Sequence, residues 1–149
     1  MGDRFMAGSS QVFEEVKKRT GIPYPSIVYN IENGMIERFI QAIGDSNTKW
    51  QNNNEQLIAP PTFPLILGFD HMIQELNKEP LLTILHGSTE IENYLPIVAG
   101  DIVTIEMCIT NVREREGKTG QSLFINFEIK CRNQRQELIS ICRQLAIIC

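Results

Sequence analysis

"APPTFPLILGFDHMIQEL", residues 59–76, is the stretch on which the fold turns. Two prolines at 60 and 61 can open a helix, because proline suits a first turn whose amides have no intrahelical acceptor. Phe63, Leu65, Ile66, Leu67, Phe69, Met72, Ile73 and Leu76 follow, so the first half is apolar nearly all round. A helix of that kind has no face for water and must be enclosed by the rest of its domain. Pro64 fits only inside the first turn. What encloses the helix is the question the neighbouring sequence has to answer.

Downstream of Pro80 the periodicity changes from helical to alternating. Residues 81–94 read as one long strand. Val103, Ile105, Met107 and Ile109 alternate with Thr104, Glu106, Cys108 and Thr110, and Leu123, Ile125, Phe127, Ile129 and Cys131 alternate with Phe124, Asn126, Glu128 and Lys130. Residues 137–148 make a last strand. Turn signals at Ala99-Gly100-Asp101, at Glu116-Gly117 to Gly120 and from Asn133 to Gln136 separate them. Four such strands form an antiparallel sheet with one apolar face, and the apolar helix is its cover. The expected architecture is α+β: a hot-dog fold, with a long antiparallel sheet wrapped around a central helix. Such a sheet leaves edges, which proteins commonly blunt by pairing. A dimer with strands running across the seam, and a composite cleft between the two halves, is therefore expected.

Upstream, residues 11–19 predict a short helix capped by Ser10, with Val12, Phe13 and Val16 on one face and Gly21 as its stop. Ile27 to Ile31 reads as a strand closed by the turn signal Asn33-Gly34. Ile36, Phe39, Ile40 and Ile43 then mark one face of a helix that ends at Gly44. Asp45 to Gln56 is a polar, asparagine-rich loop. Residues 1–10 carry no pattern and read as a loose tail, which leaves 11–149 as a single domain without repeat or linker.

Composition closes off several classes of function. At 149 residues, 42% apolar, 21% charged and a net charge of −4, the chain is that of an ordinary globular domain. It has no basic stripe with interleaved aromatics for nucleic acid, and no apolar run long enough for a membrane. We expect a cytoplasmic protein with no metal and no cofactor. Cys108, Cys131, Cys142 and Cys149 form no C-x-x-C pair, and His71 and His86 are the only histidines. Three of the cysteines fall in apolar strands, where a free thiol acts as a small hydrophobe.

On the residues alone, Asp45 and Asn47 read first as side chains that satisfy backbone groups in a turn. A resemblance adds a second reading. "IERFIQAIGDSNTKW" (36–50), "IAPPTF" (58–63) and "LHGSTEIENYLPIVAGD" (85–101) resemble the MaoC-like dehydratases, most of all the branch named for the N-terminal half of such enzymes. The resemblance runs from about Tyr29 to the C-terminus. It implies reversible hydration of 2-enoyl thioesters, or dehydration of (R)-3-hydroxyacyl thioesters, carried on coenzyme A or acyl carrier protein. It also implies that Asp45 and Asn47 stand at motif positions where active members have an Asp and an Asn. A His five residues after the Asp would complete an acid–base dyad. Trp50 stands there instead, and an indole donates a hydrogen bond but accepts no proton.

A second departure follows. Where active members place a His-Gly pair whose amide polarises the thioester carbonyl, this chain has Pro60-Pro61-Thr62, and proline has no N–H. The resemblance therefore implies an acyl-chain-binding subunit without the catalytic His, paired with a chain that supplies Asp and His. Trp50, Pro61, Thr62 and Phe63 are its expected ligand-facing residues. Three alternatives stay open: a self-sufficient homodimeric hydratase that borrows a base such as His86 across the seam; a hot-dog thioesterase using Asp70 or Glu75; and an acyl-CoA-binding module without catalysis.

Overall fold

The computed structural model describes residues 11–45, 56–77 and 82–149. Residues 11–18 are helical (α1). Then come β1 (Ile27–Asn30), α2 (Asn33–Ala42), a 3-10 turn (Phe63–Ile66), α3 (Phe69–Leu76), β2 (Ile84–Asn93), β3 (Ile102–Gly117), β4 (Gly120–Arg132) and β5 (Leu138–Ile148). The strands form one sheet in the order β1-β3-β4-β5-β2, every neighbouring pair antiparallel. This is the hot-dog arrangement, and the alternation along β3, β4 and β5 builds it.

Val103, Ile105, Met107 and Ile109 are buried, as are Leu123, Ile125, Phe127 and Ile129. The register sets Met107 beside Ile129 and Ile129 beside Cys142, so the buried rows run straight across the strands. Onto them pack Val12, Phe13 and Val16 of α1, Ile36 of α2, and Phe63, Leu67, Met72 and Leu76 of the central segment, as one core cluster. The intervening residues of the strands face outward.

The central segment differs from the single enclosed helix that its sequence predicts. Gly68 interrupts it with a left-handed backbone, φ +82°. A Cβ at Gly68 would stand 2.5 Å from Ile105 Cδ1, so the segment approaches the sheet closely only because this residue has none. The Gly68 amide donates to the Tyr29 hydroxyl at 3.1 Å, which ties the break to β1. Pro64 lies in the first turn of the 3-10 helix, where it costs no hydrogen bond. The expected enclosure is also incomplete: Ile66 is 43% and Phe69 42% exposed.

Two further expectations move. Asn33-Gly34 begins α2 rather than forming a separate turn, and the strand expected over 81–94 is β2, Ile84–Asn93. Gly44, φ +70°, ends the α2 region as its sequence position predicts. The tail expected over residues 1–10 lies outside the described residues.

Candidate functional site

Asp45 follows Gly44 at the end of the α2 region, half-buried, with its amide donating to the Ile40 carbonyl at 3.1 Å. Asn47 and Trp50 lie outside the described residues. The chain is described again from Gln56, where it runs alongside residues 97–99. Ala59 N–H donates to Ile97 O at 2.8 Å, Ala99 N–H to Leu57 O at 2.9 Å, and Gln56 Nε2 to Ala99 O at 2.7 Å. This ladder delivers Pro60, Pro61 and Thr62 to the start of the central segment.

Between this turn and the connection from β2 to β3 lies a recess of about 310 Å³. Ile58, Pro60, Pro61 and Pro64 form one wall; Asn93, Tyr94, Leu95 and Pro96 form the other. It is mostly apolar, as sites for small molecules usually are. The walls are joined by one side chain, Asn93, whose Nδ2 donates to the Pro61 carbonyl at 2.9 Å. Turn amides are spent within the turn: Phe63 N–H on Pro60 O at 2.9 Å and Leu65 N–H on Thr62 O at 3.1 Å.

Of the residues expected to face a ligand, Pro61 lines the recess and Thr62 is exposed beside it. Phe63 is fully buried and meets Phe39 of α2 edge-on, with ring centroids 5.4 Å apart. It carries the turn from below rather than forming a wall. Asn93 and Tyr94 were given no role by motif. Their signal was the "NYLP" run (93–96), four residues that end a strand and offer an amide, an aromatic and a proline together.

Tyr94 also ties the recess to the outer face of the sheet. Its hydroxyl donates to Glu92 Oε2 at 2.7 Å, and Glu92 also accepts from Arg143 Nη1. Arg143 first, and Tyr94 second, hold the Glu92 carboxyl below its ordinary value, while Glu92 pushes the Tyr94 hydroxyl up. Arg143 reaches Glu128 at 3.3 Å and Glu90 at 3.5 Å as well, so one guanidinium serves three carboxylates.

Neither histidine lines the recess. His86 Nε2 lies 2.6 Å from Thr89 Oγ1 on the edge strand, across the bulge at Gly87. That bulge lets the strand pass close over Leu145, whose Cγ would stand 2.8 Å from a Cβ at position 87. His71 of α3 meets Tyr24 edge-on at 5.7 Å, its buried Nε2 without a hydrogen bond. Asp70 is exposed in the first turn of α3 and Glu75 half-buried near its end. No three His, Cys, Asp or Glu among the described residues stand together as a metal site would require. No helix among them is long and apolar enough to cross a membrane.

Comparison with known proteins gives the chain its relatives. The family model described as "FAS1-like, dehydratase domain region" matches residues 18–141. A UPF0336 protein of Thermobifida fusca is 29% identical over 100 residues, covering 60% of this chain and 66% of the relative. A UPF0336 protein of Streptomyces coelicolor is 26% identical over 105 residues, covering 62% of this chain and 69% of that one. The chain thus spans about two thirds of these curated relatives. Among solved structures, the C-terminally truncated HadBC (3R-hydroxyacyl-ACP dehydratase) complex of Mycobacterium tuberculosis superposes with a TM-score of 0.71 at 20% identity. That match covers 87% of this chain and 96% of the other. An (R)-hydratase from A. caviae superposes at 0.67 and 16% identity, covering 85% and 94%. At these identities the superpositions establish the shared fold.

Proposed function

This chain belongs to the FAS1-like dehydratase-region family, a set of MaoC-like hot-dog proteins, and on that premise we propose that it binds an acyl thioester beside the Pro60–Thr62 turn. We take it to be the acyl-chain-binding subunit of a hydratase or dehydratase, paired with a second chain that carries the Asp–His dyad. The observation that carries this reading is a double departure from the motif, read in the sequence. An indole replaces the base at position 50, and two prolines without N–H replace the carbonyl-polarising amide at 60–61. An apolar recess in a chain whose motif lacks the proton-transfer groups suits binding better than turnover.

The open edge of β2 and the exposed Ile66 and Phe69 support a second chain as the missing cover. The HadBC and ChsH1–ChsH2 neighbours were solved as complexes of two named chains, which is a property of those proteins and a model for this one. We take residues 11–149 to act as one domain. Four free thiols suit a reducing compartment, and we assign the chain to the cytoplasm.

The test is hydration of crotonyl-CoA by the purified chain, alone and mixed with a MaoC-like chain from the same genome that has both Asp and His. Loss of the general base should cost about 10²–10⁴-fold in the isolated chain. Full turnover by this chain alone, abolished by Asp45→Asn, would overturn the subunit reading. One observation keeps the self-sufficient alternative in view: His86 is exposed on the edge strand, within reach of a partner across the seam. Activity that disappears with His86→Gln would establish it.

A further inference from the structure

Asn93 stands where the end of the edge strand, the wall of the recess and the proline turn meet. Its carboxamide donates to Pro61 O at 2.9 Å across the mouth of the recess. Pro60 and Pro61 have no N–H; the Phe63 amide donates to the Pro60 carbonyl, and the Pro61 carbonyl accepts from Asn93. The ladder with residues 97–99 holds the chain only as far as Ala59, and Phe63 is locked in the core. Between those fixed points, the Asn93 side chain reaches the turn with a hydrogen bond to the Pro61 carbonyl. In register it stands opposite Ser140 of β5, so its own backbone is held on one side by the sheet, while the other edge of β2 has no partner strand among the described residues.

We propose that Asn93 is a positioning residue: it sets the gap between the proline wall and the Tyr94–Pro96 wall, and so the affinity of the recess for an acyl thioester. The inference rests on the acyl-thioester reading above.

What matters in this contact is the donor, and one substitution isolates it. Asn93→Asp keeps the shape but sets a carboxylate against the Pro61 carbonyl, acceptor against acceptor. Once protonated, that carboxyl again offers an O–H donor. The experiment is calorimetric titration of the full chain with crotonyl-CoA and trans-2-octenoyl-CoA over a range of pH, with thermal unfolding recorded for each variant. At about pH 7 the Asn93→Asp variant should bind roughly tenfold more weakly than wild type, with little change in its unfolding temperature. As pH falls toward about 4 the deficit should narrow as the carboxyl protonates, whereas Asn93→Ala should stay weak throughout. Equal affinity of Asn93→Asp and wild type at pH 7, or a deficit that does not change with pH, overturns the positioning role while the binding reading stands. Absence of binding by wild type, alone and with a catalytic chain, overturns the binding reading itself.

Discussion

The centre of the sheet and its β2 edge are built from the same alternating pattern and have opposite physical standing. β4 is paired along both sides, and its inner residues Leu123, Ile125, Phe127 and Ile129 are at most 1% exposed. Among the described residues β2 is paired with β5 alone, most of its ten residues are exposed, and Leu85 keeps 48% of its surface. The other edge, β1, is only four residues long and ends itself. A ten-residue open strand is a template for another strand, and proteins do not leave one bare without cause. The centre is completed by this chain; the edge asks to be completed from outside. The recess lies at the end of that edge, so the functional reading inherits the same incompleteness.

The sharpest contrast is chemical. Cys142 is fully buried, and burial, with the neighbouring Cys131 thiol, pushes it up to about 12. Burial raises Cys131 as well, whereas Cys149 is exposed just past β5. The thiolate is the reactive form. A thiol-specific disulfide reagent at pH 8 should modify Cys149 at once, and Cys131 and Cys142 only as fast as the protein unfolds. Equal rates, followed by mass spectrometry of the peptides, would mean that the centre opens locally and the contrast is wrong.

Truncation should show the same division. Phe127→Ala removes a ring from the closed centre and should cost about 3–5 kcal/mol in urea unfolding. Leu85→Ala at the edge should stay within about 0.5 kcal/mol. If the Leu85 cost instead grows with protein concentration, the edge is buried in an assembly, which sharpens the comparison rather than breaking it.

Proline tests the edge directly. Along an antiparallel edge strand, successive residues turn their backbone groups toward the neighbour and toward the open side. Of Thr89→Pro and Glu90→Pro, one should lose a bond to β5 and destabilise the fold by about 3 kcal/mol or more. The other should fold but associate about a hundredfold more weakly in sedimentation. Two well-folded variants that dimerise like wild type would put the seam somewhere else.

Legibility in the sequence divided along similar lines. Strands were legible because alternation is a local property, and residues 103–109 and 123–131 each declare their buried face without help. The break at Gly68 was not, since an apolar run has the same pattern whether it is one helix or two pieces. The need for it comes from Ile105 across the core. The bulge between His86 and Ser88 escaped for a similar reason: Gly87 is visible, but its requirement lies in Leu145. At the site, Gly44 marked the end of α2 and located Asp45, and the two prolines located the turn. The NYLP run marks Asn93 as a strand end, but its contact was not legible, because the partner is a backbone carbonyl 32 residues away, which no motif spacing reveals.

The smallest expected effect concerns the ion pair that joins edge and recess. Glu92 accepts from Arg143 on the outer face and from Tyr94 at the rim of the recess, and these lower its carboxyl below the ordinary 4.5. A carboxylate whose folded value is depressed contributes stability above its unfolded value and loses it as pH falls through the folded one. At pH 7 the contribution is therefore complete, and it disappears only below 4.5. The group is exposed and solvent screens it, so the global effect is slight and the useful readout is the titration itself. Carbon-detected NMR should show Glu92 titrating below 4.5 in wild type. Arg143→Gln should raise the midpoint, though not to the full ordinary value, because the Tyr94 hydroxyl still donates. Tyr94→Phe should raise it less, since Arg143 is the larger cause. The reverse order would make Tyr94 the anchor. The end of the edge would then be held by the rim of the recess rather than by the sheet, and a ligand that moves Tyr94 would be felt along the whole open strand.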